Sequence, residues 1–137
     1  AYDSAYDKMS KIKTYFKFLK TFGVTPEGIA FESMFRDIKK DAKGDECIFI
    51  NYSDGMPSHI SGTGYNYSGI VFTRRVVKKM IEIGINVIGY FIDGTKDGYA
   101  SDRFRDMYGK NSEFIDTSNM TKVSKSMNRK FLEISEQ

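Results

Sequence analysis

The sequence has one cysteine, one histidine and no long apolar run. Cys47 has no partner for an internal disulfide and lies in an apolar stretch, so we expect a small buried thiol and a reducing, cytoplasmic compartment. His59 lies in a polar loop without a second His or Cys nearby, which indicates neither a zinc site nor a catalytic base. No apolar run approaches the roughly 20 residues of a membrane helix, and residues 1–7 lack the pattern of a secretory signal. We therefore expect no membrane partner.

The composition is that of an ordinary globular protein, with 40% hydrophobic and 28% charged residues. The 137 residues fit one domain, so we predict a single domain over residues 1–137. The net charge of +3 comes from residues 1–44, which hold nine basic and six acidic residues. Lys13, Lys17 and Lys20 lie at helical spacing beside an apolar stripe, as expected for the solvated face of an amphipathic helix. This modest charge does not indicate a nucleic-acid partner.

Helical and strand patterns alternate along the chain. We predict helices over residues 8–21, 25–42, 69–83, 101–108 and 119–134, and strands over residues 46–52, 85–92 and 113–115. This order predicts an α/β fold, with a doubly wound, mainly parallel sheet and helices on both faces. Strand 46–52 is apolar almost throughout, which favours a position in the middle of the sheet. The third helix should bury Val76, Val77, Met80 and Ile81.

Two turns carry the candidate ligand-binding residues. Ligands of such sheets bind outside the carboxyl ends of the strands. The segment Ser53-Asp54-Gly55-Met56-Pro57 follows strand 46–52, and a carboxylate beside a tight glycine turn can hold a hard cation there. The segment Gly23-Val24-Thr25-Pro26-Glu27-Gly28 places the Thr25 hydroxyl at the start of a helix, where it can cap that helix or reach an ion.

The Thr-Pro-Glu-Gly helix start comes first along the chain, and the strand that ends in Ser-Asp-Gly-Met-Pro follows it. Together, the two segments resemble the von Willebrand factor A family. The narrower pattern is similar to that of cobalt-chelatase type subunits and their phage-borne relatives. The resemblance covers nearly the whole chain and matches the second half of the domain. It implies a partial Rossmann-like fold that lacks its first strand.

The resemblance also implies a magnesium site. The family binds Mg²⁺ through an Asp-x-Ser-x-Ser loop after the first strand, a Thr from a second loop and an Asp from a third. By resemblance, Thr25 is the second-loop Thr and Asp54 the third-loop Asp. The first loop has no counterpart, because the nearest string, Asp116-Thr117-Ser118-Asn119-Met120, ends in Met and follows the last strand. We therefore expect weak or absent Mg²⁺ binding by this chain, with the missing loop before Ala1.

The function implied by the resemblance is a metal-ion-dependent protein-binding or scaffold module, and not an enzyme. Its bound cation would coordinate a carboxylate of a partner protein. The chelatase-like pattern implies that this partner is a ring-forming AAA+ ATPase. The candidate partner-binding loop consists of the residues on either side of Asp54, namely Ser53, Gly55, Met56 and Pro57.

The sequence leaves two alternatives open. One is a small hydrolase or nucleotide-binding enzyme with Asp54 and Asp93 as an acidic pair at adjacent strand ends, although Thr95 stands where a second carboxylate would be needed. The other is nucleic-acid binding through the lysine-rich first helix and the basic face from Arg74 to Lys79. A calcium loop over residues 93–104 is not favoured, because Phe104 occupies the position of the bidentate Glu.

The apolar character of strand 46–52 also bears on assembly. Its expected neighbours are strand 85–92 and the missing first strand, so one edge is left bare. Bare apolar edges recruit other chains. We expect a homodimer, with pairing by residues 1–6 or by a partner that carries the missing N-terminal half as the alternatives.

Overall fold

The computed structural model describes residues 6–18, 25–42, 46–58, 67–92, 98–115 and 120–135. The helices are α1 (Met9–Phe16), α2 (Glu27–Ala42), α3 (Tyr67–Glu82), α4 (Gly98–Tyr108) and α5 (Met120–Ser135), and a 3₁₀ turn spans Gly109–Asn111. The strands are β1 (Cys47–Ser53), β2 (Ile85–Ile92) and β3 (Ser112–Ile115). Gly23, His59, Asp93 and residues 116–119 lie outside the described residues.

The three strands form one parallel sheet in the order β1-β2-β3. The pairing of β1 with β2 runs from Cys47 opposite Ile85 to Ser53 opposite Phe91. The predicted α/β class with a parallel sheet is confirmed, and so is the expected pairing of the first two strands. The architecture is compatible with the Rossmann-like class.

The prediction that strand 46–52 lies in the middle of the sheet is wrong for the described part of the chain. There, β1 is hydrogen-bonded to a strand on one side only, and the central strand is β2. None of the β1 residues is fully buried, whereas most of β2 is. The physical reason is that an apolar run shows which side chains avoid water, but not how many strands lie beside it.

Helices cover both faces of the sheet. On one face, Ile85, Val87 and Phe91 of β2 join a core that includes residues of α2, α3 and α4. On the other face, α5 is close to the sheet, since the Tyr52 hydroxyl donates a hydrogen bond to Met127 Sδ at 3.2 Å. An ion pair of 2.9 Å between Lys130 of α5 and Glu113 of β3 also lies here.

Helix α3 buries a slightly different stripe from the one predicted. Val76, Val77 and Met80 are buried as expected. Ile81 is 42% exposed, so its predicted burial is wrong; it lines an open cleft and does not enter the core. Thr73 is fully buried instead. Within the described residues, no helix has the length and apolar content needed to cross a membrane.

Candidate functional site

A cleft of about 370 Å³ opens where β1 and β2 end. Both candidate cation ligands, Thr25 and Asp54, line it. They come from different parts of the sequence: Asp54 follows the carboxyl end of β1, whereas Thr25 lies just before the start of α2. The other residues that line the cleft are Glu27, Asn51, Tyr52, Ser53 and Ile92.

Backbone hydrogen bonds tie Thr25 to the loop after β1. Its carbonyl oxygen accepts a bond from the Ser58 amide at 2.8 Å and another from the Glu27 amide at 2.9 Å. The helical ladder of α2 then begins with the bond from Ala30 N to the Pro26 carbonyl. The start of α2 is thus attached to the segment that carries Asp54.

A tight turn presents Asp54. The Met56 amide donates to Asp54 Oδ1 and the Gly55 amide to Ser53 Oγ, each at 3.1 Å. Side chains that bond to the backbone two residues further on stabilise turns of this kind. Gly55 has φ +77°, a left-handed conformation that glycine adopts at low cost. The turn leaves the Asp54 side chain exposed at the cleft.

The residues around Asp54 belong mainly to the interior. Gly55 and Pro57 are buried, and Met56 packs against the hydrophobic core. Ser53 is half-buried. The packing of these residues therefore helps to hold the turn in place.

A buried carboxylate that was not predicted from the sequence lies at the base of the cleft. Glu27 is 5% exposed. Its Oε1 accepts hydrogen bonds from the Tyr108 hydroxyl and from Asn51 Nδ2, the latter at 2.5 Å, and its Oε2 accepts one from Ser53 Oγ at 3.1 Å. Asn51 Nδ2 also donates to the Tyr108 hydroxyl at 2.9 Å. We call these four residues the Glu27 cluster.

The environment of the Glu27 cluster shifts two pKa values. Burial raises the pKa of the Glu27 carboxyl, and the nearby charge of Asp54 raises it further. Hydrogen bonds from Tyr108, Ser53 and Asn51 oppose this rise because they stabilise the carboxylate. Burial also raises the pKa of Tyr108, as does the charge of Glu27. Tyr108 therefore keeps its proton and remains a hydrogen-bond donor.

The ligand atoms of the cleft suit a hard cation in type but fall short in number. Thr25 and Asp54 offer oxygen atoms, which Mg²⁺ and Ca²⁺ prefer, but such ions take about six ligands. The Glu27 carboxylate already accepts three hydrogen bonds. Across the described ranges, no group of three or more His, Cys, Asp or Glu side chains could hold a metal. Thr25 and Asp54 would need further ligands from elsewhere.

Comparisons of the chain with protein-family models, with curated proteins and with solved structures found no match. The fold by itself defines only an α/β protein with a parallel sheet, an architecture that carries many functions. What can be inferred about function therefore depends on the cleft and on the residues that line it.

Proposed function

We propose that the chain forms part of a von Willebrand factor A type domain and acts as a metal-ion-dependent protein-binding module. The observation that supports this most is the meeting of Thr25 and Asp54 in one cleft at the carboxyl edge of the sheet. These are the two positions to which the sequence resemblance assigns cation ligands. The missing ligands would come from an Asp-x-Ser-x-Ser loop outside this chain.

The charge of the cleft supports a role for a cation in partner binding. The exposed Asp54 and the buried Glu27 are both acidic and lie close enough for the charge of one to raise the pKa of the other. Without a cation, the cleft therefore repels an acidic partner. Mg²⁺ would be held by the Thr25 hydroxyl and the Asp54 carboxylate, and its charge would attract a carboxylate of the partner protein.

The rim of the cleft offers apolar surface to such a partner. Tyr52 and Ile92 line the cleft and are 45% and 38% exposed. The Tyr52 ring stacks on Tyr90 with a centroid distance of 5.3 Å, so its orientation is fixed. We propose that these two side chains, and less so the residues beside Asp54, contact the partner. The chelatase-like sequence pattern favours a ring-forming AAA+ ATPase in this role.

The edge of β1 supports a further proposal, that the chain associates through this strand. Among the described residues, only β2 pairs with β1, and Ile48 and Ile50 are half-buried. An edge of this kind recruits another strand. We expect light scattering at micromolar concentration to give twice the mass of one chain. A monodisperse monomer whose β1 lacks a second neighbour would contradict the proposal.

Substitution of Asp54 tests the cation site. We expect millimolar Mg²⁺ to shift the amide NMR signals of Thr25 and Asp54. Asp54→Asn should weaken this binding at least about tenfold, because it removes the only full charge from the two ligands. Asp37→Asn is the matched control, since Asp37 is an exposed carboxylate on α2 that does not line the cleft. Equal Mg²⁺ responses in the two variants would exclude Asp54 as a ligand.

A further inference from the structure

Glu27 connects the parts of the fold that carry the two candidate ligands. It is the first residue of α2 and follows Thr25 by two positions. Its Oε2 accepts a hydrogen bond from Ser53, the residue before Asp54, at 3.1 Å. Ser53 Oγ in turn accepts a hydrogen bond from the amide of Gly55, the residue after Asp54. One carboxylate thus links the start of α2 to both sides of Asp54.

The other oxygen of Glu27 attaches this link to the core. Oε1 accepts hydrogen bonds from Asn51 of β1 and from Tyr108, the last residue of α4. Tyr108 is 3% exposed, and its ring packs on Phe104 with a centroid distance of 4.6 Å. The position of Glu27 is therefore set by groups that are themselves fixed by packing.

We propose that Glu27 is a positioning residue that fixes Thr25 relative to Asp54. This inference rests on the proposed function, in which these two residues hold a cation. A buried carboxylate loses its hydration, and apolar packing often stabilises a core as well as a buried charge does. A carboxylate differs from an apolar side chain because it can accept several hydrogen bonds at once. The Glu27 carboxylate accepts hydrogen bonds from Asn51 and Ser53 of β1 and from Tyr108 of α4.

The Ser58 amide provides a direct readout of this positioning. It donates to the Thr25 carbonyl at 2.8 Å, so its hydrogen exchange reports whether the Thr25 segment stays on the loop after β1. In Glu27→Ala we expect Ser58 to exchange at least about tenfold faster, the factor that corresponds to one lost hydrogen bond to a charged group. The amide of Val87, in the central strand, should exchange at nearly its original rate.

Two variants separate positioning from general stability. Glu27→Gln keeps one acceptor oxygen and the length of the side chain, so it should restore most of the Ser58 protection. Glu32→Ala removes an exposed carboxylate from the same helix and should change neither amide. Equal acceleration at Ser58 and Val87 in Glu27→Ala would overturn the proposal, because it would indicate a general loss of stability. An unchanged Ser58 would overturn it as well.

Tyr108→Phe keeps the experiment decisive if Glu27→Ala does not fold. It preserves the packed ring and removes one donor to Glu27, so Ser58 should exchange about threefold to tenfold faster with Val87 unchanged. No change at Ser58 would contradict the proposal. Exchange is measured in EDTA, so this test does not depend on a cation. Loss of Ser58 protection without any Mg²⁺ response at Asp54 would reject the cation site but leave the positional link intact.

Discussion

Replacement of Phe104 with alanine should lower the free energy of unfolding by about 3 to 5 kcal/mol, the usual cost of truncating a fully buried phenylalanine. Phe104 is 0% exposed, and its ring lies 5.2 Å from that of Phe91 between centroids. The variant loses the burial of the ring and leaves a cavity between α4 and β2. Since domains are stable by only about 5 to 15 kcal/mol, urea denaturation should show a much lower midpoint.

Phe114→Ala is the matched control for this prediction. Phe114 carries the same ring and contacts both Phe91 and Phe104, but it is 42% exposed. Its truncation removes less buried area and opens a space that water can enter, so we expect less than half the loss seen for Phe104→Ala. Equal losses in the two variants would contradict the assignment of Phe104 to the centre of the core.

Gly55→Ala should cost about 2 to 5 kcal/mol, from a left-handed backbone penalty of roughly 1 to 2 kcal/mol and overpacking of roughly 1 to 3 kcal/mol. Gly55 has φ +77°, and a Cβ atom would lie 2.7 Å from the Ala100 carbonyl oxygen and 2.8 Å from the Phe91 ring. A backbone oxygen and a packed ring cannot both move away at low cost. The substitution should also displace Asp54, and urea denaturation measures its cost in stability.

Gly84→Ala isolates the backbone contribution. Gly84 has φ +89°, but a Cβ atom there would have no heavy atom within 4 Å. Its substitution should therefore cost only the left-handed penalty, roughly 1 to 2 kcal/mol. The difference between the two variants gives the packing contribution at Gly55. If Gly55→Ala were no more destabilising than Gly84→Ala, this result would contradict the tight packing of α4 and β2 against Gly55.

The sequence predicted those features of the fold that depend on local pattern. The bounds of β2 agree with the apolar run 85–92, because most residues of this central parallel strand are buried. The position of β1 at the edge of the described sheet did not follow from its equally apolar sequence. An apolar run indicates which side chains avoid water, but it does not identify the strands that lie beside it.

The candidate site was predictable only in part, for a similar reason. The strand-end rule identified Asp54, and the helix start identified Thr25. Glu27 was not identified, because its partner Tyr108 is 81 positions away and no local pattern joins them. The one available signal was Asn51, a polar residue inside an apolar strand, which needs a hydrogen-bonding partner when it is covered.

The central proposal is that Thr25 and Asp54 are two ligands of a hard cation, which this chain by itself binds weakly. The most direct test is paramagnetic broadening of amide NMR signals by Mn²⁺. Mn²⁺ takes the same oxygen ligands as Mg²⁺, and its broadening falls steeply with distance. We predict that the Thr25 and Asp54 amides broaden first and together, and that Asp54→Asn abolishes both effects. Broadening that begins at exposed carboxylates such as Asp37 or Asp102, with Thr25 and Asp54 unaffected, would contradict the proposed site.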